Sequence, residues 1–151
     1  MTGTTTILKW PAQKQEIKLI DTNHNPEGKT HLLQTKDFSF YASSTSEHQG
    51  DDTLLNPEDM LINALSSCFF MTFHAIATKA RLGLLSYECN SELFLDGEKV
   101  KHVSKIVLNL SLKFESEQEK EKILQICEKA HKYCIIANSI KAEIVYNVDL
   151  I

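Results

Sequence analysis

Apolar and polar positions change period several times along the chain, and each change marks a new element. Between residues 5 and 41 the short apolar runs ILKW, EIKLI, HLLQ and FSFYA are separated by turn-forming stretches such as DTNHNPEGKT. That pattern predicts a meander of antiparallel strands. SSTSEHQGDD then reads as a polar loop, after which the spacing becomes helical. Asn56 suits the cap position before a helix, Pro57 suits its first turn, and Glu58 and Asp59 place negative charge on the positive end of the helix dipole. Gly83 is the expected stop.

Strand-like alternation follows in SYECNSELFLDGEKVKHVSKIVLNLSLKFE, with Asp96-Gly97 as a hairpin signal between two long strands. A second helix is expected from Ser116, a cap with Glu119 three residues on, to about Tyr133, and it carries Ile123, Leu124, Ile126, Cys127 and Ala130 at helical spacing. KAEIVYNVDLI closes the chain as a strand. The order of strands, helix, hairpin, helix and strand gives an α+β fold, with residues 1–151 expected to form a single domain.

From Met60 to Thr78 no residue carries a formal charge, and such a run has the length of a membrane span. Asn63, Ser66, Ser67, Thr72, His74 and Thr78 place polar groups on all faces of it, which argues for a helix buried in protein. No membrane is therefore expected as a partner. A helix enclosed on nearly all sides needs more cover than one thin sheet supplies, so a homodimer in which a second copy completes the core is expected.

Net charge −4 and a pI near 5.8, with scattered lysines, leave no basic stripe for nucleic acid. MTGTTTILKW lacks the charged and apolar regions of a signal peptide, which points to the cytoplasm. The four cysteines, Cys68, Cys89, Cys127 and Cys134, form no Cys-x-x-Cys pair and are too few for a disulfide scaffold. They read as thiols in a reducing compartment.

An unpaired cysteine on an apolar helix packs as a small hydrophobe more often than it reacts. That is the structural reading for Cys127, within the helical pattern, and for Cys89, in a strand. Cys68, in NPEDMLINALSSCFFMTF, shares that reading until Cys134 is weighed with it, in AHKYCIIANSIKAEI at the end of the second helix. Two thiols on two core helices could meet and cycle to a disulfide. His131-x-x-Cys134 offers two metal ligands, but no second pair stands at metal spacing and a closed zinc site needs four. No metal or cofactor is expected.

NPEDMLINALSSCFFMTF resembles the central-helix motif of the OsmC/Ohr family of organic hydroperoxide reductases, and AHKYCIIANSIKAEIVYNVDL resembles that family's second-cysteine motif and closing strand. The resemblance implies Cys68 as the peroxidatic cysteine, Cys134 as the resolving cysteine and Glu58 as the active-site glutamate. It also implies an intertwined homodimer, an organic hydroperoxide substrate, and a small dithiol or thioredoxin-like reductant. Leu61, Leu65, Phe69 and Phe73, within two turns of Cys68, read either as an apolar substrate pocket or as plain core.

Two departures stand against that pattern. The family's arginine in the N-terminal sheet is missing, since the only arginine is Arg81 near the end of the helix, and Ile135 replaces the proline that commonly follows the second cysteine. Lys29 or Lys36 is the candidate replacement cation, although a lysine lacks the planar fork of a guanidinium. Ten helical residues separate Glu58 from Cys68, about 15 Å of rise, so a site using both needs Glu58 from a second copy. Otherwise Glu58 is a first-turn acid on the dipole. A non-catalytic member binding a hydrophobic small molecule is the alternative function.

Overall fold

A computed structural model describes residues 15–19, 30–35 and 37–151. The run ILKW and both candidate lysines, Lys29 and Lys36, lie outside the described residues. The chain divides into two compact units, Met1–Pro57 and Glu58–Ile151.

In the first unit, β1 (Gln15–Leu19), β2 (His31–Thr35) and β3 (Phe38–Ala42) form an antiparallel sheet in the order β1-β2-β3. Ile17 pairs with Leu33, and Leu33 with Phe40. The polar loop that follows is tied down from beneath. Ser43 is fully buried, its hydroxyl accepts the Asp51 N–H at 3.1 Å, and its own N–H donates to the Leu55 carbonyl at 2.9 Å.

The second unit begins with α1 (Pro57–Lys79), a helix long and apolar enough by length and composition to cross a membrane. Leu65, Phe69, Phe73 and Ala77, four residues apart, form its buried stripe. Away from that face α1 is open in places: Phe70 is 37% exposed and Met71 67%. The helix ends at Lys79, ahead of the expected Gly83. The Leu82 N–H reaches back to the Ala77 carbonyl at 3.0 Å and the Arg81 N–H to the Thr78 carbonyl at 2.9 Å, a pair of bonds that requires a left-handed residue between them. Arg81 takes that conformation at φ 57°, and buried Leu82 seals the turn.

β4 (Leu84–Asp96) and β5 (His102–Phe114) are the expected long antiparallel strands. Their connection is a five-residue loop rather than a two-residue turn; Gly97 holds φ 104°, and the Asp96 carboxylate accepts its N–H at 2.7 Å. β6 (Glu143–Leu150) adds parallel to β5, giving the order β4-β5-β6. Ile106, Leu108, Leu110 and Leu112 alternate along β5 and are all buried, as strand periodicity demands.

α2 (Lys120–Tyr133) lays Ile123, Ile126, Cys127 and Ala130 into the same core. Its start differs from the expected Ser116 cap. Glu119 occupies the cap without a side-chain bond, while Gln118 Nε2 holds the Ser116 hydroxyl at 3.0 Å and its carbonyl at 3.1 Å. Ser116 is thereby engaged by Gln118, two residues on, and α2 begins at Lys120. A short helix absent from the sequence pattern, α3 (Ile135–Ser139), fills the expected direct passage from helix to strand.

Candidate functional site

Midway along α1, Cys68 is half-buried and flanks the core stripe without belonging to it. Cys134 is fully buried at the junction where α2 ends and α3 begins. Both are free thiols, and they lie close enough that each influences the ionisation of the other. The structure thus brings together the two cysteines that the sequence places on separate helices.

The electrostatics differ at the two sulfurs. Burial raises the Cys68 thiol, but the Ile136 N–H, the Cys134 thiol, the Ile135 N–H and the Thr72 hydroxyl outweigh it and hold Cys68 below its ordinary value. Each of these favours the thiolate by donating a proton to it. Thr72 has one proton and two acceptors, since its hydroxyl also donates to the Cys68 carbonyl at 2.9 Å, so it is the secondary donor. Burial pushes Cys134 up to about 11, against the Ala137 N–H and reinforced by Cys68. Cys68 is thereby the more acidic of the two thiols and Cys134 the less.

The donors arise from the chain's local geometry. Cys134 caps α3, its sulfur accepting the Ala137 N–H at 3.4 Å. The first N–H groups of any helix have no carbonyl partner within it; here that of Ala137 bonds the Cys134 sulfur, and those of Ile135 and Ile136 contribute to lowering Cys68. Sequence reading credits oxygen-bearing side chains as caps, so a sulfur cap and its backbone donors went unseen.

Other candidates fall elsewhere. Glu58 lies in the first turn of α1, and along an unbroken helix ten residues is about 15 Å, so it does not meet Cys68 of its own chain. Leu65, Phe69 and Phe73 are fully buried core residues rather than pocket walls, and Leu61 packs half-buried beside them. The exposed apolar side chains adjoining Cys134 in sequence are Tyr133 and Ile135, at 64% and 75%. Arg81 closes the helix, about 20 Å of rise from Cys68.

The remaining cysteines are structural in their settings. Burial, with Glu128 nearby, pushes Cys127 up to about 12. The Cys89 sulfur lies 3.4 Å from the Ser91 hydroxyl, which in turn meets the Ser66 hydroxyl at 2.9 Å and ties β4 to α1. Among the described residues no group of three or more His, Cys, Asp or Glu side chains is placed to hold a metal.

A family model described as OsmC-like protein matches residues 50–149. No match is found among the curated proteins. Among solved structures, an OsmC-like protein of unknown function from Vibrio cholerae superposes with TM-score 0.81 at 23% identity, over 93% of this chain and 100% of its own. An organic hydroperoxide resistance protein OsmC from Legionella pneumophila gives 0.65 at 18% over 91% and 96%. The organic hydroperoxide resistance protein OhrB of Bacillus subtilis gives 0.61 at 13% over 91% and 98%. At these identities the likeness is one of fold.

Proposed function

This chain belongs to the OsmC-like protein family, and on that footing we propose that it is a thiol-dependent peroxidase for organic hydroperoxides, with Cys68 peroxidatic and Cys134 resolving. The observation that supports this reading is the neighbouring pair itself, one thiol lowered and the other raised.

The Cys68 thiolate attacks the terminal oxygen of the hydroperoxide. The O–O bond breaks, an S–O bond forms, and the departing alkoxide takes a proton to become the alcohol. Cys68 is now a sulfenic acid. The adjacent Cys134 sulfur attacks it, forming the disulfide, and the Cys134 proton leaves with the hydroxyl as water. A small dithiol or thioredoxin-like donor returns both thiols at the cost of its own oxidation. No metal or cofactor enters. The reaction suits a reducing cytoplasm, which returns Cys68 and Cys134 to thiols after each cycle.

The proposed active form is a homodimer. The uncovered face of α1, with Phe70 and Met71, is the surface a second copy would close, and that copy would bring its own Glu58 toward Cys68. The family's arginine has no counterpart among the described residues, and backbone N–H groups of α3 take over the stabilisation of the thiolate.

Intact mass after treatment with cumene or tert-butyl hydroperoxide tests the reading. Wild type should lose two hydrogens, Cys134→Ser should gain one oxygen, and Cys68→Ser should do neither. If folded wild type is unchanged at millimolar peroxide, the family member is instead a non-catalytic binder of a hydrophobic small molecule. The groove of about 230 Å³ lined by Phe70, His74, Leu84, Leu85, Ser86 and Tyr87 then becomes the place to look.

A further inference from the structure

The junction between α2 and α3 turns sharply, and a helix that stops leaves its last carbonyls without partners. One side chain supplies them. Asn138 Nδ2 lies 2.8 Å from the Cys134 carbonyl, 3.0 Å from that of Lys132 and 3.3 Å from that of His131. Three carbonyl acceptors around one terminal atom identify it as the amide NH2, whose two protons are shared among them. The Asn138 N–H adds a bond to the Cys134 carbonyl at 3.1 Å. Cys134 is thus gripped through its carbonyl by Asn138 and through its sulfur by Ala137, at 3.4 Å.

We propose that Asn138 is a positioning residue for the dithiol: its carboxamide locks the α2–α3 junction so that Cys134, its sulfur held by the Ala137 N–H, stays beside Cys68. The inference rests on the peroxidase reading for its catalytic consequence, but its geometry does not. The covalent constraint a proline would supply after Cys134 is missing here, where Ile135 stands, and hydrogen bonding to the carbonyls fixes the turn in its place. Without the carboxamide, three carbonyls lose a donor, the turn loosens, and the sulfenic acid on Cys68 waits longer for Cys134.

The test compares Asn138→Ala and Asn138→Asp in the full chain with Ser139→Ala. The last removes another α3 side-chain bond, to the Ile135 carbonyl at 2.8 Å, and serves as the control for ordinary loss of stability. Aspartate has the size of asparagine but, when ionised, donates nothing, so it separates hydrogen bonding from packing. Two readouts are taken: the pH midpoint of Cys68 alkylation, and disulfide formation after one equivalent of tert-butyl hydroperoxide against sulfinic acid formed under excess. Both Asn138 variants should raise the alkylation midpoint by about one pH unit, the scale of one hydrogen bond to a charged group. They should slow disulfide closure by about tenfold, as misplacement of a reacting group does, with sulfinic acid rising in step. Ser139→Ala should move neither readout.

Folded Asn138 variants with the wild-type midpoint and closure rate would overturn the positioning role while leaving the peroxidase reading intact. Wild-type behaviour in Asn138→Asp alone would also overturn it, since the donor would then be dispensable. If wild type never oxidises, the peroxidase reading falls, and the alkylation midpoint still decides the role of Asn138.

Discussion

Cys68 and Cys134 are neighbouring thiols whose ionisation shifts in opposite directions from the ordinary value, Cys68 lowered and Cys134 raised. Burial opposes ionisation at both sulfurs; at Cys68 the donors prevail and the thiol is lowered, whereas at Cys134 burial prevails and holds it at about 11. A thiolate is the attacking species and a protonated thiol the neighbour that releases water, so the split assigns each sulfur the state its proposed step requires.

The first expectation concerns reactivity with pH. Alkylation of Cys68 by iodoacetamide should show a midpoint below the ordinary thiol value, and Cys134→Ala, which deletes a donor, should move it upward. Measured by mass spectrometry of the Cys68 peptide across pH 5 to 10, an unmoved midpoint in the variant would show that Cys134 does not tune the nucleophile.

Alkaline stability should trace to the other buried thiols. Cys127 rises from about 9 to about 12 on folding and Cys134 to about 11. Raised acids stay protonated in the native state while the unfolded chain ionises, so their contribution is full below about pH 9 and is lost as pH climbs towards 12. Cys127→Ala should cost about 1 kcal/mol at pH 7 through a small cavity, yet lose less stability than wild type between pH 9 and 11. Urea melts at both pH values decide it, and parallel losses would count against the assignment.

Among the described residues, the Tyr87 hydroxyl is buried without a hydrogen-bond partner, its ring packed edge-on to Phe70 at 4.9 Å between ring centres and beside Phe73 at 5.7 Å. Burial raises its pKa, with Cys89, Cys127 and Cys134 adding to the effect. Removing an unsatisfied polar group recovers its desolvation penalty, about 1–3 kcal/mol. Tyr87→Phe should therefore raise the melting temperature, and a lower one would mean that the hydroxyl has a partner in solution.

Arg81 holds a left-handed conformation that favours glycine. Arg81→Gly should be neutral or stabilising, by up to about 1 kcal/mol, and should leave peroxide consumption unchanged. A large loss of activity would restore Arg81 as the cation of the site.

For the proposed dimer, Met71→Lys on the uncovered face of α1 should reduce the mass by light scattering from two chains to one while helical content persists. A wild-type monomer at micromolar concentration would remove the basis for Glu58 acting from a second copy.

Hydrophobic period and turn chemistry alone determined the order of the long elements in the described chain, though not the short α3. The stripe Leu65, Phe69, Phe73 and Ala77 and the alternation Ile106 to Leu112 are local regularities, because a helix or strand repeats its own geometry regardless of what it packs against. The cysteines were legible as residues and their order as a motif. Their meeting was not, because it depends on how two helices cross in space. Arg81 ending α1 in place of Gly83, and Cys134 capping a short α3, were decided by backbone bonds that the tertiary fold selects. Every residue but proline carries an N–H, and only the packed structure determines which of them, at Ile135, Ile136 and Ala137, are left free to hold a sulfur.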